Sequence, residues 1–322
     1  MGLFDKFKKK NTTDSFEEVI VEEKKDEMPV EEKQEPVAPV EKEQEAPSAP
    51  VPQKQEEPSE AEVANEGRRF TLLVENAKQL AEDEGIMIAG MLYGTLNLGD
   101  EVYLLLPNHA VRTTQIDGIE IAAGQNADTA ENQKVVLQFK EIKDINMVPK
   151  YTVITSIRPQ DNPTVNTMIE NPQLLGLSMD YPRLNKDPLY MNLLVFELCH
   201  AHFLVPARVA ANTVKNEEGE SVFKQDTQVR FPGIQDPTDS SKSVFTIFTD
   251  WRALANWKNL FDKNHPPKAI IMRFPDVVNV AAGNGVMLNA FGPTSIYLPA
   301  EVVDKITSLE GYKQEFGESK EA

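Results

Sequence analysis

Four glycines, at positions 85, 90, 94 and 99, divide the stretch "GIMIAGMLYGTLNLGDEVYLLLP", residues 85–107. Apolar residues alternate between them, as expected for β-strands with one face in a core. A glycine inside a strand marks a sharp bend or a close approach of two backbones, and we predict this role for Gly85, Gly90 and Gly94. Gly99-Asp100 is typical of a turn in which the glycine takes a positive φ. The stretch therefore predicts tightly curved β-structure.

The β-pattern extends from residue 68 to residue 158, where short alternating runs are separated by Gly, Asp and Asn. No helix-length apolar period lies between these runs, which are "RRFTLLVENA", "EGIMIAG", "DEVYLLLP", "VRTTQIDGIEI", "QKVVLQFKEI" and "YTVITSI". Closely spaced strands of this length are typical of a small closed barrel. Residues 68–158 are therefore predicted to form an all-β barrel.

This region resembles the second domain of translational GTPases of the elongation factor Tu type. Four features carry the resemblance. The first strand contains a threonine, at Phe70-Thr71, and a glycine-rich hairpin, Gly85 to Gly90 and Gly94 to Gly99, ends in Gly99-Asp100. An Ile-Glu strand follows at Ile116 to Ile119-Glu120, and a late strand runs from Val135 to Asp144. The hairpin between Gly90 and Gly94 is one residue shorter than in that family. The resemblance implies a fold and no activity, because such modules also occur on proteins unrelated to translation.

A nucleotide site of the GTPase kind is not expected. The chain holds no "GxxxxGK[ST]" motif, the loop whose backbone amides and lysine bind phosphates. The 67 residues ahead of the barrel are acidic and contain only Gly2 and Gly67, so they offer no amide cradle for a triphosphate. We therefore predict no GTP binding and no cofactor.

The net charge of −18 is concentrated at the start of the chain. Residues 1–67 hold 9 Lys and Arg against 19 Asp and Glu, which accounts for more than half of the excess. Residues 11–67 are rich in Glu and Pro and contain no aromatic residue after Phe16, so we predict a disordered linker, with a regulated binding segment as the alternative. Because neither folded part is basic, no nucleic-acid partner is expected.

Residues 1–10, MGLFDKFKKK, form a short basic and apolar segment ahead of the linker. Leu3, Phe4 and Phe7 lie on one side of a helical turn with four lysines around them, a pattern for weak contact with an anionic membrane. A frayed basic terminus is the alternative. The chain has no run of about 18 apolar residues, no secretory signal pattern and a single cysteine, so we predict a cytoplasmic location, peripheral at the inner membrane face if this segment binds.

The pattern changes to mixed α/β in residues 187–312. The predicted helices are "KDPLYMNLLVFELCHAH", "WRALANWKNLF", "PDVVNVAAG" and "PAEVVDKITSLEGY", and the predicted strands are "FLVPARVA", "VFTIFTDW", "KAIIMRF", "GVMLNAFG" and "SIYL". Residues 159–186, which are rich in proline, are predicted to be a linker, and residues 313–322 a tail. The chain is thus predicted to be multidomain, with a disordered acidic tail, a small all-β barrel and an α/β domain with a mixed sheet.

The α/β region resembles the N-terminal domain of the SseB (enhanced serine sensitivity) family of bacteria. The resemblance rests on "HFLVPARV", on "SVFTIFTDWRALANW" with Trp257, and on "FPDVVNVAAGNGVMLNAFG" with Asn289 before Phe291-Gly292. Ala290 stands where the family commonly has proline. The resemblance implies an α/β fold and names no reaction.

Ligand-type side chains cluster in "ELCHAH", which holds Cys199, His200 and His202. Cys199 and His202 are three apart and are predicted to share a helical face. A zinc site needs three or four ligands, and His109 and His265 lie in no partner motif, so no metal site is predicted. A catalytic thiol needs exposure and an oriented base, whereas Cys199 lies in an apolar helix and is predicted to be a buried structural thiol. We predict no catalytic site.

A candidate interaction surface is predicted at the start of the helix "WRALANWKNLF" and beside it, comprising Phe248, Thr249, Trp251 and Asn289. Packing of the aromatic side chains in a core is the alternative. The leading functional hypothesis is a non-catalytic binding or adaptor protein with a protein partner. A translation- or ribosome-associated accessory factor and an enzyme with an unrecognised site in the α/β domain are the two alternatives.

Overall fold

The computed structural model of this protein describes residues 18–19, 69–81, 84–160, 168–209, 214–215, 221–222, 229–260 and 268–317. The segment 1–10 lies outside the described residues. So does the linker 11–67, apart from Glu18–Val19, which form a short strand, β1. The disorder and membrane contact expected there stay predictions.

The middle of the chain is a curled antiparallel sheet, in the form of a half-barrel. Its strands are β2 (Phe70–Gln79), β3 (Ile86–Asn97), β4 (Glu101–Leu105), β5 (Val111–Gln115), β6 (Gly118–Ile121), β7 (Gln125–Asn126), β8 (Thr129–Glu131), β9 (Lys134–Phe139) and β10 (Val153–Thr155). They pair in the order β5-β4-β10-β2-β3-β9-β6-β7, and β8 pairs with β3. Among the described residues no ladder joins the outer strands β5 and β7, so the all-β prediction is confirmed as an open half-barrel.

The glycines act on this sheet largely as their spacing predicts. A Cβ atom at Gly90 would lie 2.5 Å from the carbonyl oxygen of Leu73 on β2, which confirms a close backbone approach. Gly99 has a φ of +84° in the turn into β4, as predicted. The strand β3 runs through both Gly90 and Gly94, however, so the hairpin predicted between them is wrong. The inward side chains of β3 and its neighbours fill the half-barrel with a single apolar cluster.

The C-terminal part is mixed α/β, as predicted. Its helices are α1 (Pro172–Leu184), α2 (Pro188–His200), α3 (Trp251–Ala255), α4 (Phe274–Ala281), α5 (Ala300–Ser308) and α6 (Glu310–Phe316). Its strands are β11 (His202–Val209), β12 (Val214–Lys215), β13 (Ser221–Val222), β14 (Val229–Pro232), β15 (Ile234–Gln235), β16 (Ser243–Ile247), β17 (Lys268–Arg273), β18 (Val286–Leu288) and β19 (Ile296–Leu298). They form the sheets β1-β14-β11-β17 and β15-β16-β18-β19 and the hairpin β12-β13. The parallel pair β16–β18 makes the second sheet mixed.

Helix α1 lies inside the stretch 159–186 that was predicted as a linker. A Cβ at its Gly176 would lie 2.5 Å from Val153 Cγ1 and 2.8 Å from Thr71 Oγ1, so the helix backbone rests directly on β2 and β10. Leu174 and Leu177 of α1 belong to one apolar cluster with Val153 and with the core of the α/β part. The outer face of the half-barrel and the α/β part are therefore joined through α1.

Two helices end earlier than their sequence pattern predicts. Helix α3 stops at Ala255 and is followed by a 3-10 turn, Lys258–Leu260. The last predicted helix is broken at Leu309, which has an extended backbone with ψ of 139°, and it resumes as α6. Gly311 therefore lies inside a helix, and residues 313–316, which were predicted as tail, continue it.

Candidate functional site

An open groove of about 590 Å³ lies between α2, α5, α6 and the strands β18 and β19. We call it the α2–α6 groove. Its walls are almost entirely apolar, and its floor is built from buried side chains of α2, β19 and α5, namely Leu194, Leu198, Leu298, Val302 and Ile306. A pocket of this size with so few polar groups is suited to apolar side chains of a ligand.

Helix α2 supplies one wall because it is apolar on nearly every side, "PLYMNLLVFELCH". The side chain of Asp187 caps its start by accepting hydrogen bonds from the backbone N–H groups of Leu189 and Tyr190, at 3.0 and 3.2 Å. A helix that is hydrophobic all round is usually buried. Here Leu189 is 69% exposed and Phe196 41%, so part of its apolar surface is left uncovered.

The break between α5 and α6 supplies the opposite wall. Helix α5 buries Val302 and Ile306, whereas Leu309 at the break is 51% exposed. Gly311, two residues after Leu309, also lines the groove, and a Cβ atom there would meet no atom within 4 Å. The groove is therefore open at Gly311.

Charged groups at the groove are mainly acidic. His200 Nε2 lies 2.7 Å from Glu315 Oε1, and its ring stacks on Phe196 with 4.0 Å between ring centroids. Among the described residues that line the groove, Lys305 is the only Lys or Arg, against the carboxylates of Glu310 and Glu315. The groove thus combines an apolar floor with two carboxylates that favour a basic ligand.

Cys199 lies in the groove wall but is not activated. Its side chain is buried, and burial raises the pKa of the thiol to about 12, so the reactive thiolate is disfavoured at neutral pH. This confirms the predicted buried structural thiol. His202 lies in β11 and not in α2, so the prediction that it shares a helical face with Cys199 is wrong. In the described part of the chain, no group of three or more His, Cys, Asp or Glu side chains is placed to hold a metal ion.

A second titratable contact joins the groove region to the half-barrel. His109, in the turn between β4 and β5, has its Nδ1 atom 3.4 Å from Glu197 Oε1 of α2 and its ring centroid 4.8 Å from that of Phe196. Burial raises the pKa of Glu197 to about 7, and burial together with the charge of His200 lowers the pKa of His109. Glu197 is not among the residues predicted from the sequence, although a lone carboxylate in the apolar run "LLVFELCH" is a signal for a perturbed acid.

The four residues predicted as an interaction surface do not form one. Phe248, Thr249 and Asn289 are buried, and only Trp251 reaches the surface, where it is 41% exposed. This corrects the prediction for the three buried residues. The aromatic residues around the start of α3 pack in a core instead, because Phe248 lies in an apolar cluster with Trp257.

Asn289 and Thr249 instead hold together the loops after β16 and β18. Asn289 Oδ1 accepts a hydrogen bond from the Thr249 backbone N–H at 2.9 Å, and Asn289 Nδ2 donates to Thr294 Oγ1 at 2.8 Å. Asn171, just ahead of α1, donates from its amide to the Thr249 carbonyl oxygen at 2.7 Å. Asn289 has a φ of +50°, a conformation that asparagine tolerates better than most residues. The network is therefore structural and links three parts of the fold.

Comparison with known proteins bears on the C-terminal part of the chain. No curated protein matches this chain. None of the described helices is long and apolar enough to cross a membrane. Residues 183–305, which include α2, β18, β19 and the first six residues of α5 but not α6, match the family model described as the SseB protein N-terminal domain. This confirms the resemblance expected for residues 187–312, and the C-terminal part of the chain is similar to the SseB N-terminal domain.

Proposed function

We propose that this protein is a non-catalytic binding protein whose α2–α6 groove takes up a basic amphipathic segment of a partner protein. The observation that carries the proposal is the apolar surface of α2 that the fold leaves uncovered beside Leu309 and Gly311. Helix-in-groove recognition uses apolar anchors at i, i+3, i+4 and i+7 of the bound segment, and a groove between helices fits this mode.

Charge supports the choice of a basic segment. Glu310 and Glu315 line the groove, and the whole chain carries a net charge of −18. Complementary charge speeds association and selects among partners more than it adds affinity. Binding should therefore weaken as the salt concentration rises.

The chemistry of the groove supports binding over catalysis. Burial raises the pKa of Cys199, and the ring of His200 is held between the carboxylate of Glu315 and the aromatic ring of Phe196. Neither arrangement supplies an activated nucleophile with an oriented base. The apolar floor, in contrast, offers the contact area that binding needs.

Titration of the full chain with two synthetic peptides tests the proposal. Both carry leucines at i, i+3, i+4 and i+7, and the remaining positions are lysine in one peptide and glutamate in the other. We expect the Leu/Lys peptide to bind saturably and at least about tenfold more tightly than the Leu/Glu peptide, a difference of about 1.4 kcal/mol.

Gly311 offers a matched pair of variants. Gly311→Leu places a side chain in the open space of the groove without a clash, and it should abolish binding of the Leu/Lys peptide. Gly311→Ala adds only a methyl group and should bind as the native chain does. Equal binding by the Gly311→Leu variant, or no binding of either peptide to any variant, would refute the proposal.

A further inference from the structure

We infer that residues 2–10 of this chain dock in the α2–α6 groove and compete there with the partner segment. The inference rests on the proposed function, because it names an internal competitor for the same groove. The segment reads GLFDKFKKK. As a helical turn it presents Leu3, Phe4 and Phe7 on one side, with Phe7 at i+4 and i+3 from the other two.

The segment has the chemistry that the groove requires. Three large apolar side chains match a floor of leucine, isoleucine and valine, and the lysines that follow Phe7 match the carboxylates of Glu310 and Glu315. In the described part of the groove, Lys305 is the only Lys or Arg that would oppose them. Apolar content and charge therefore agree.

The chain between the segment and the folded part is long enough for docking. The strand β1 shows where this chain meets the α/β part, since Val19 pairs with Phe231 of β14, and Phe231 belongs to the same apolar cluster as the groove floor. The tether is therefore residues 11–17, and seven residues reach about 25 Å when fully extended. A tethered ligand has an effective concentration of about 1 mM, so an intrinsic Kd of about 0.1 mM would leave the groove mostly occupied.

Paramagnetic relaxation in the full chain provides the first test. A spin label is attached at Gly2→Cys, while Cys199 is left in place because it is buried and its thiol is protonated at neutral pH. We expect broadening of the methyl signals of Ile306 and Leu309 and none for Ile88 inside the half-barrel. The matched control is Phe4→Ser/Phe7→Ser in the same labelled chain, which should lose the broadening.

Affinity for the Leu/Lys peptide provides the second test and separates the two proposals. The Phe4→Ser/Phe7→Ser variant should bind this peptide about tenfold more tightly than the native chain, because the internal competitor is removed. Equal affinities with unbroadened groove signals would overturn the inference, although the proposed function would stand. Absence of peptide binding in both chains would overturn the proposed function itself.

Membrane binding by the same residues is the remaining outcome. The labelled chain is mixed with vesicles of phosphatidylcholine, or of phosphatidylcholine with phosphatidylglycerol. If the signals of Ile306 and Leu309 are unbroadened without vesicles and the segment binds only the anionic vesicles, docking is overturned in favour of a membrane contact. If the groove signals are broadened and vesicles leave them unchanged, docking is supported.

Discussion

Gly176 is the point at which α1 rests on the half-barrel, and its replacement by alanine tests that packing directly. The added Cβ would lie 2.5 Å from Val153 Cγ1, 2.9 Å from Val153 Cγ2 and 2.8 Å from Thr71 Oγ1. Val153 and Thr71 are both buried, and both are β-branched, so their χ1 angles are restricted and neither side chain yields easily. The helix must therefore move away from β2 and β10.

The change in the free energy of unfolding follows from two opposing effects. Alanine in place of glycine inside a helix stabilises it by about 1 kcal/mol. Overpacking of a close contact costs about 1–3 kcal/mol, and two rigid neighbours favour the upper end. We therefore expect Gly176→Ala to lower the free energy of unfolding by about 2 kcal/mol.

Urea unfolding of the full chain measures this free energy, and two further variants serve as controls. Gly311→Ala also replaces a helical glycine, but its Cβ would meet no atom within 4 Å, so it should raise the free energy of unfolding by up to about 1 kcal/mol. Val153→Ala combined with Gly176→Ala removes the two contacts with Val153 and leaves only the one with Thr71 Oγ1. The double-mutant cycle should therefore give a favourable coupling of about 1–2 kcal/mol.

Either of two results would exclude the packing of α1 on β2 and β10. If Gly176→Ala stabilises the protein as much as Gly311→Ala does, then α1 does not lie against β2 and β10 at this distance. A coupling near zero between positions 153 and 176 would exclude the contact in the same way.

Three further predictions concern the pH dependence, the buried network and the domain boundary. Glu197 has a pKa of about 7 in the fold against 4.5 in the unfolded chain, so its contribution to stability is complete below about pH 4.5 and is lost as the pH rises through 7. The Glu197→Gln variant should therefore have a free energy of unfolding up to about 3 kcal/mol higher than the native chain near pH 8, and the same value near pH 4. The same difference at both pH values would contradict this. Asn289→Ala leaves the buried Thr249 N–H without its acceptor and should cost about 2–3 kcal/mol in urea unfolding, whereas a loss under about 0.5 kcal/mol would argue against the network. A fragment of residues 68–186, which retains α1 over the outer face of the half-barrel, should unfold at a higher urea concentration than a fragment of residues 68–158, and equal midpoints would show that α1 adds nothing.

Much of the local structure could be predicted from the sequence because it depends on neighbours along the chain. The strands of the half-barrel follow the two-residue alternation of apolar side chains, and Gly99 takes the positive φ that its turn requires. Helix α3 begins after Asp250, whose side chain accepts from the N–H groups of Arg252 and Ala253. The burial of Cys199 likewise follows from the apolar helix that contains it.

The candidate site was decided by tertiary packing. Helix α2 is apolar on nearly all sides, so its sequence predicts burial everywhere and gives no sign that Phe196 would stay partly uncovered. The sequence predicts that Phe248 and Asn289 form a surface beside Trp251, but both are buried by strands and loops that are distant in sequence. Elements that are distant in sequence and come into contact only in the fold decide which apolar face is covered. The local sequence pattern therefore does not predict it.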